Sequence, residues 1–156
     1  DGGGPSNMVP DTAVIRFNVR LPNPEDAAWI EAEVRALLGV AEGLSAHLHG
    51  GFTRPPKPIN PAQQALFDGA RGAAALAGVD LQWKPSGGVC EGNNLFAAGL
   101  PNLDTLGVRG GDIHSEAEHA WPDSFAERAQ VSAAILCKLA DGTIDGPAIR
   151  ALMGAR

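Results

Sequence analysis

Residues 60–78, NPAQQALFDGARGAAALAG, carry the clearest helix signal in this sequence. Asn60 is a residue type that caps helix N termini, and Pro61 suits the first helical turn. Gly78 ends the pattern, and residues 79–84 predict a short strand. Apolar positions recur at helical spacing along one face: Leu66, Ala70, Ala73, Ala74 and Leu76. The segment therefore predicts a buried helix followed by a strand.

A strand, a helix and a second strand are predicted before this helix. Residues 13–20 alternate with a period of two, and residues 44–49 do the same before a glycine pair. Between them, Asn23 is expected to cap a helix that opens at Pro24 and ends at Gly39. The predicted buried face of the first strand is Ala13, Ile15, Phe17 and Val19. The predicted apolar stripe of the helix is Ala27, Ile30, Val34, Leu37 and Leu38.

Helix and strand also alternate after residue 78. Residues 103–108 predict a strand, and residues 122–139 predict a long helix. Its expected apolar positions include Phe125, Ala129, Ile135, Leu136 and Leu139. This alternation predicts an α/β fold. The Pro-rich stretch at 54–58 predicts a boundary between residues 1–55 and residues 56–156.

Composition narrows the classes of protein. The chain has 156 residues and a formal net charge of −6, and no basic and aromatic stripe is present, so a nucleic-acid binder is not expected. Cys90 and Cys137 form no CxxC motif, which favours free thiols of a cytoplasmic enzyme, although a single bridge remains open. The absence of a long apolar run predicts no membrane span. A start at Asp1 without Met predicts a cut inside a domain.

Two Gly-rich loops, residues 87–94 and 107–119, are the places where chemistry is expected. Glycine permits positive φ and lets a ligand approach the backbone closely. In the second loop His114, Glu118 and His119 could ligate zinc, although a loop histidine is more often a surface residue. His47 and His49 could also bind a metal on one strand face, but a solvated face is the more common reading. No serine-hydrolase elbow or Walker loop occurs.

Six segments of the chain carry a further signal when they are taken together: residues 6–11, 18–20, 51–56, 90–93, 97–101, and 110–115 with Glu118. They resemble the zinc-dependent carboxypeptidase and acylase family, which includes glutamate carboxypeptidase, acetylornithine deacetylase, succinyl-diaminopimelate desuccinylase and aminoacylase. The resemblance runs in the family's order over nearly the whole chain.

The resemblance implies a two-domain α/β enzyme. Residues 1–55 would be the second half of an αβ-sandwich lid that also forms a homodimer, and residues 56–156 the C-terminal part of the catalytic domain. His114 would be a ligand to one of two zinc ions, with cobalt or manganese as alternative metals. Asn7, Arg20 and Gly88 would bind substrate, since an Arg fork suits a carboxylate and a side-chain amide can polarise a carbonyl. A salt bridge at the rim is the alternative role for Arg20.

The departures from the family pattern are as informative as the matches. Cys90 and Glu91 replace the common Ser or Thr and Asp, and His119 replaces Tyr or Phe. The family's remaining zinc ligands and its general-base glutamate are missing and are expected upstream, in the N-terminal part of the catalytic domain. The complete enzyme is then expected to hydrolyse an amide bond beside a free carboxylate, in a peptide or N-acyl amino acid, and this chain alone to be inactive. The alternative is a binding or dimerisation module without catalysis.

Overall fold

The computed structural model describes residues 2–39 and 43–154, so Asp1, where the sequence predicts a cut, lies outside the described part. Helices make up most of its regular structure. The helices are α1 (Asp26–Leu38), α2 (Pro61–Leu76), α3 (Glu91–Ala97), α4 (Asp123–Ala140) and α5 (Gly146–Ala151). The strands β1 (Gly110–Gly111) and β2 (His119–Ala120) form an antiparallel pair.

The core lies where α2 packs on α4 and α5. The helix begins as the sequence predicts, because the Asn60 side chain accepts a hydrogen bond from the Gln63 N–H and Pro61 occupies the first turn. Four of the five predicted apolar positions of α2 are buried, whereas Leu76 is exposed. The core cluster is Leu66, Ala70, Ala73, Ala74, Leu81, Val131, Ile135 and Ile144.

The predicted long helix is confirmed as α4, within one residue at each end. Of its five expected apolar positions, Ile135 is buried as predicted, whereas the other four, including Ala129, are exposed. The buried residues of α4 are Ser124, Val131 and Ile135. They are spaced by seven and four residues and therefore lie on one face of the helix. The face with Ser124, Val131 and Ile135 packs toward α2. Phe125, Leu136 and Leu139 lie on other sides of the helix and remain exposed.

None of the four predicted strands is paired into a sheet among the described residues. Residues 13–20, 44–49, 79–84 and 103–108 belong to no helix or sheet of the described structure, apart from one antiparallel bridge between Ala13 and Gly2. Alternating apolar and polar residues can predict which face of a strand is buried. A strand forms, however, only when a second strand supplies its hydrogen bonds. On the first segment the expected buried face is open, with Ile15 82% and Phe17 59% exposed.

The helix α1 forms, although it begins later than the sequence predicts. Its N-cap residue is Glu25 rather than Asn23, whose side chain donates instead to Asp26 Oδ2 at 3.3 Å. It ends before Gly39 as expected. None of its residues is fully buried, so the predicted stripe covers no core in the described structure.

Three short elements were not predicted: α3, α5 and the β1–β2 hairpin. The described residues form a mixed structure of helices and a small antiparallel sheet, which is compatible with an α/β fold. No helix in the described ranges is long and apolar enough to cross a membrane.

Two neighbouring residues of α4 test the position of the core. Ile135 is 5% exposed and Leu136 is 65% exposed. We expect Ile135→Ala to lower the free energy of unfolding by about 2–5 kcal/mol, because it removes buried methyl groups and leaves a cavity. Leu136→Ala should change it by less than about 0.5 kcal/mol. Urea denaturation of both variants measures the difference, and equal losses would contradict the assigned core face.

Candidate functional site

A cavity of about 760 Å³ lies beside the core. Its walls include residues 20–22, 56–59, 81–90 and 102–106. Of the four residues for which the family resemblance implies a role, Arg20 and Gly88 line this cavity. The structure therefore brings together two positions that are 68 residues apart in the sequence.

Arg20 is held against the Gly-rich loop at the cavity. Its Nη1 donates to the carbonyl oxygen of Gly87 at 2.8 Å, and its Nε donates to Asn18 Oδ1 at 3.3 Å. Gly88, the next residue of the loop, uses its own N–H to donate to Ser86 Oγ at 3.0 Å. These contacts fix the guanidinium and the loop relative to each other.

The helix α3 begins directly after this loop, and its first turn is tied to other segments. The Cys90 N–H donates to Asn93 Oδ1 at 3.0 Å, and Asn93 Nδ2 donates to the Pro55 carbonyl at 2.9 Å. A Cβ at position 92 would lie 2.5 Å from Asn102 Oδ1, so any larger residue would displace the Asn102 side chain. The close approach places α3 against residues 102–104.

An ion pair between Lys57 and Asp104 lies at the centre of this contact. Lys57 Nζ binds Asp104 Oδ2 and also donates to Asn102 Oδ1 at 3.2 Å, while the Cys90 thiol donates to Asp104 Oδ2 at 3.2 Å. Burial raises the pKa of Asp104, but the hydrogen bonds from Lys57 and Cys90 and the Lys57 charge together hold it below its usual value. Asp104 is therefore ionised where three chain segments meet.

Sequence reasoning missed Lys57, Asn102 and Asp104. Lys57 belongs to the Pro-rich stretch at 54–58, which predicts only a boundary, and the two other residues lie within or beside a predicted strand. A Lys and an Asp separated by 47 residues have no spacing that marks them as partners. Gly92 is a sequence feature that could have indicated this contact, because a glycine inside a helical turn often marks a close approach of another segment to the backbone.

His114 lies in a different part of the chain, in the loop of the β1–β2 hairpin. Gly110 pairs with Ala120 and Gly111 with His119. Ser124, fully buried at the start of α4, accepts from the Arg109 N–H at 2.9 Å and so anchors the hairpin. His114 itself is exposed. It does not line the cavity that contains Arg20.

The surroundings of His114 do not form a zinc site on their own. Within the described ranges, no three His, Cys, Asp or Glu side chains are grouped as metal ligands. Glu118 binds the His114 backbone N–H, and His119 Nδ1 lies 3.6 Å from Asp112 Oδ2. A structural zinc has four ligands and a catalytic zinc three from protein. His114 can supply one.

Three further candidates are exposed on the surface: Asn7, His47 and His49. Asn7 is exposed in a turn where the Met8 N–H donates to the Pro5 carbonyl at 3.0 Å, and it does not line the cavity. The rings of His47 and His49 lie 6.5 Å apart between centroids. Cys90 and Cys137 are both free thiols in the structure, as the sequence predicts.

Comparison with known proteins gives matches among curated sequences. No family model matches the chain, and no solved structure matches it. The chain is 26% identical to a succinyl-diaminopimelate desuccinylase of Psychrobacter sp. (strain PRwf-1) over 132 residues, which are 83% of this chain and 33% of that protein. It is 27% identical to the enzyme of that name from Acinetobacter baylyi over 141 residues, 88% of this chain and 36% of the relative.

A third relative of the same name, from Paracidovorax citrulli, is 28% identical over 123 residues, 76% of this chain and 30% of the relative. The chain thus spans about a third of the length of the curated relatives that it matches. These similarities support the resemblance to the carboxypeptidase and acylase family at the level of the family.

The ionised state of Asp104 predicts a pH dependence of stability. A carboxyl whose folded pKa is lowered contributes stability above its unfolded pKa, near 3.8, and loses it as the pH falls through the folded pKa. We expect Asp104→Asn to be less stable than the wild type at pH 7, and the difference to shrink in acid below 3.8. Urea midpoints at neutral pH and at about pH 2.5 measure both differences.

The exposed Asp80→Asn is the matched control for this measurement. It removes the same charge outside the Lys57 contact and should leave both midpoints close to those of the wild type. A difference between wild type and Asp104→Asn that is equally large at both pH values would contradict the role of the ion pair.

Proposed function

We propose that this chain is part of a two-zinc hydrolase that cleaves an amide bond beside a free carboxylate, in a peptide or an N-acyl amino acid. The observation that carries the proposal is the similarity to three desuccinylases over 76–88% of the chain. Removal of a succinyl group from an amine is hydrolysis of such an amide bond. The segments that resemble the family include both Arg20 and His114.

The charge of the cavity supports an anionic substrate. Its lining contains Arg20, Lys57 and Lys84 but a single carboxylate, Asp104, which is paired with Lys57. A guanidinium binds a carboxylate through two parallel charge-assisted hydrogen bonds. We assign this role to Arg20, with Gly88 and Asn7 as further substrate contacts.

His114 is proposed as the zinc ligand that this chain contributes. It is exposed on a hairpin loop and therefore open to ligands from elsewhere. In two-metal hydrolases the ions activate a water molecule, and a carboxylate takes its proton. We propose that the other ligands and this base come from residues of the complete protein outside this chain.

Two apolar surfaces support packing against further protein. A groove of about 1000 Å³ between α2, α4 and α5 is lined largely by apolar side chains, including Leu103, Leu106 and Leu136. We propose that it receives the rest of the catalytic domain. On residues 1–55, the exposed Ile15 and Phe17 are proposed to pack within the lid or against a second copy in a homodimer.

Zinc binding distinguishes His114 from the other histidines. In the complete protein we expect His114→Ala to weaken binding of one zinc by at least about tenfold and to lower turnover, because a direct ligand is lost. His49→Ala removes an exposed imidazole outside the proposed site and should change neither. Metal content after dialysis, measured by atomic emission, checks both variants.

The outcome also separates the enzyme from its alternative. If His114→Ala keeps its full zinc content and the wild-type protein shows no amidase activity, a binding or dimerisation module is the better description. Equal metal loss in the two variants would mean that the histidines at 47 and 49 belong to the site.

Arg20→Lys tests the carboxylate contact. Lysine keeps the charge but loses the two-pronged geometry. Loss of one charge-assisted contact should cost on the order of 1.5–3 kcal/mol, roughly a tenfold to hundredfold fall in kcat/KM. Zinc content should stay constant, because arginine does not ligate the metal. Arg35→Lys, on the exposed face of α1, is the matched control and should behave as wild type.

A substrate analogue separates binding from folding, because Arg20 also contacts Gly87. With the substrate carboxylate replaced by a neutral amide, wild type and Arg20→Lys should be about equally slow. If the variant loses the same factor on both substrates, Arg20 supports the loop and does not bind the carboxylate.

A further inference from the structure

The loop that carries His114 is bent by two residues in the left-handed backbone region. Asp112 has φ of 54° and His114 has φ of 69°, and neither is glycine. In this region the Cβ atom of an L-residue crowds its own backbone, so such residues are uncommon and need support from their surroundings. The conformation of His114 therefore requires an explanation.

Hydrogen bonds within the loop supply this support. The Ser115 N–H donates to the Asp112 carbonyl at 3.1 Å, and the Glu118 N–H donates to the Ser115 carbonyl at 3.2 Å. The His114 N–H donates to the side chain of Glu118, at 3.1 Å from Oε2. Glu118 thus holds the loop through its backbone and His114 through its carboxylate.

We propose that Glu118 is a positioning residue for His114. The backbone dihedral angles of a residue fix the direction of its Cα–Cβ bond, and hence the directions in which its side chain can point. By accepting the His114 N–H, Glu118 stabilises the left-handed conformation and with it the placement of the imidazole. This inference rests on the proposed role of His114 as a metal ligand.

A different role for Glu118 is direct ligation of the metal, since a carboxylate oxygen is a zinc donor. The two roles differ in what they require of the side chain. Positioning needs an acceptor at the end of a side chain of this length, which the carbonyl oxygen of glutamine also provides. Ligation needs the charge. Glu118→Gln therefore separates the two roles, and Glu118→Ala removes both.

The first measurement is made on the metal-free complete protein and does not depend on zinc. Labelling with ¹³C-carbonyl isoleucine and ¹⁵N-histidine selects the amides of Ile-His pairs, of which this chain has one, at 113–114. The signal that disappears in His114→Ala identifies the His114 amide in the complete protein. We expect the His114 amide proton to shift upfield and to exchange roughly tenfold faster in Glu118→Ala, and to stay near its wild-type position in Glu118→Gln. Glu116→Ala, which removes an exposed carboxylate of the same loop, is the control.

The second measurement is the zinc affinity of the same variants. We expect Glu118→Ala to bind zinc about 10- to 100-fold more weakly, and Glu118→Gln and Glu116→Ala to stay within about threefold of wild type. Equal helix content by circular dichroism shows that the variants fold. An unchanged His114 amide in Glu118→Ala, or a glutamine variant as weak as the alanine variant, would overturn the proposal. Full zinc binding by His114→Ala would instead reject the proposed function and leave the amide result standing.

Discussion

The close packing of α2 on α4 is the contact on which the described structure depends. Ala70 and Ala74 of α2 are fully buried, and so is Val131 of α4. Side chains this small let two helices approach closely, which gives dense packing with little loss of side-chain entropy. The same face accepts Ile144, whose Cγ1 would lie 3.0 Å from a Cβ at Gly69. Most of the buried apolar residues belong to this one layer.

The cavity beside the core forms because polar contacts connect the loops of its wall to the packed helices α2 and α4. Gln63 is buried on α2, and its side chain donates to the Asn102 carbonyl while accepting from the Asn102 N–H. Asn102 in turn reaches Gly92 and Lys57. Buried polar groups are costly unless each finds a partner, so the network allows few alternative arrangements of these loops. It fixes the wall beside which Arg20 meets Gly87.

The two halves of the proposed chemistry are supported differently. The proposed carboxylate contact, Arg20, lies at a cavity wall that the core and its polar network hold in place. The proposed metal ligand, His114, lies on an exposed loop whose order comes from a hairpin with strands of two residues each and from Ser124 at the start of α4. On such an exposed loop, packing contributes little to holding a metal ligand in position. Local hydrogen bonds, above all the one from its N–H to Glu118, must hold it.

The sequence by itself determined the elements whose signals are local. Asn60, Pro61 and the alanine spacing give α2 because cap, first turn and buried face all lie within 19 residues, and α4 follows from its own periodicity. The tertiary structure decided the rest. It determined which face of α4 is buried, that the alternating segments join no sheet within the described ranges, and that Lys57 meets Asp104. Each of these depends on a residue distant in sequence, and neither periodicity nor spacing along one segment encodes the position of its partner.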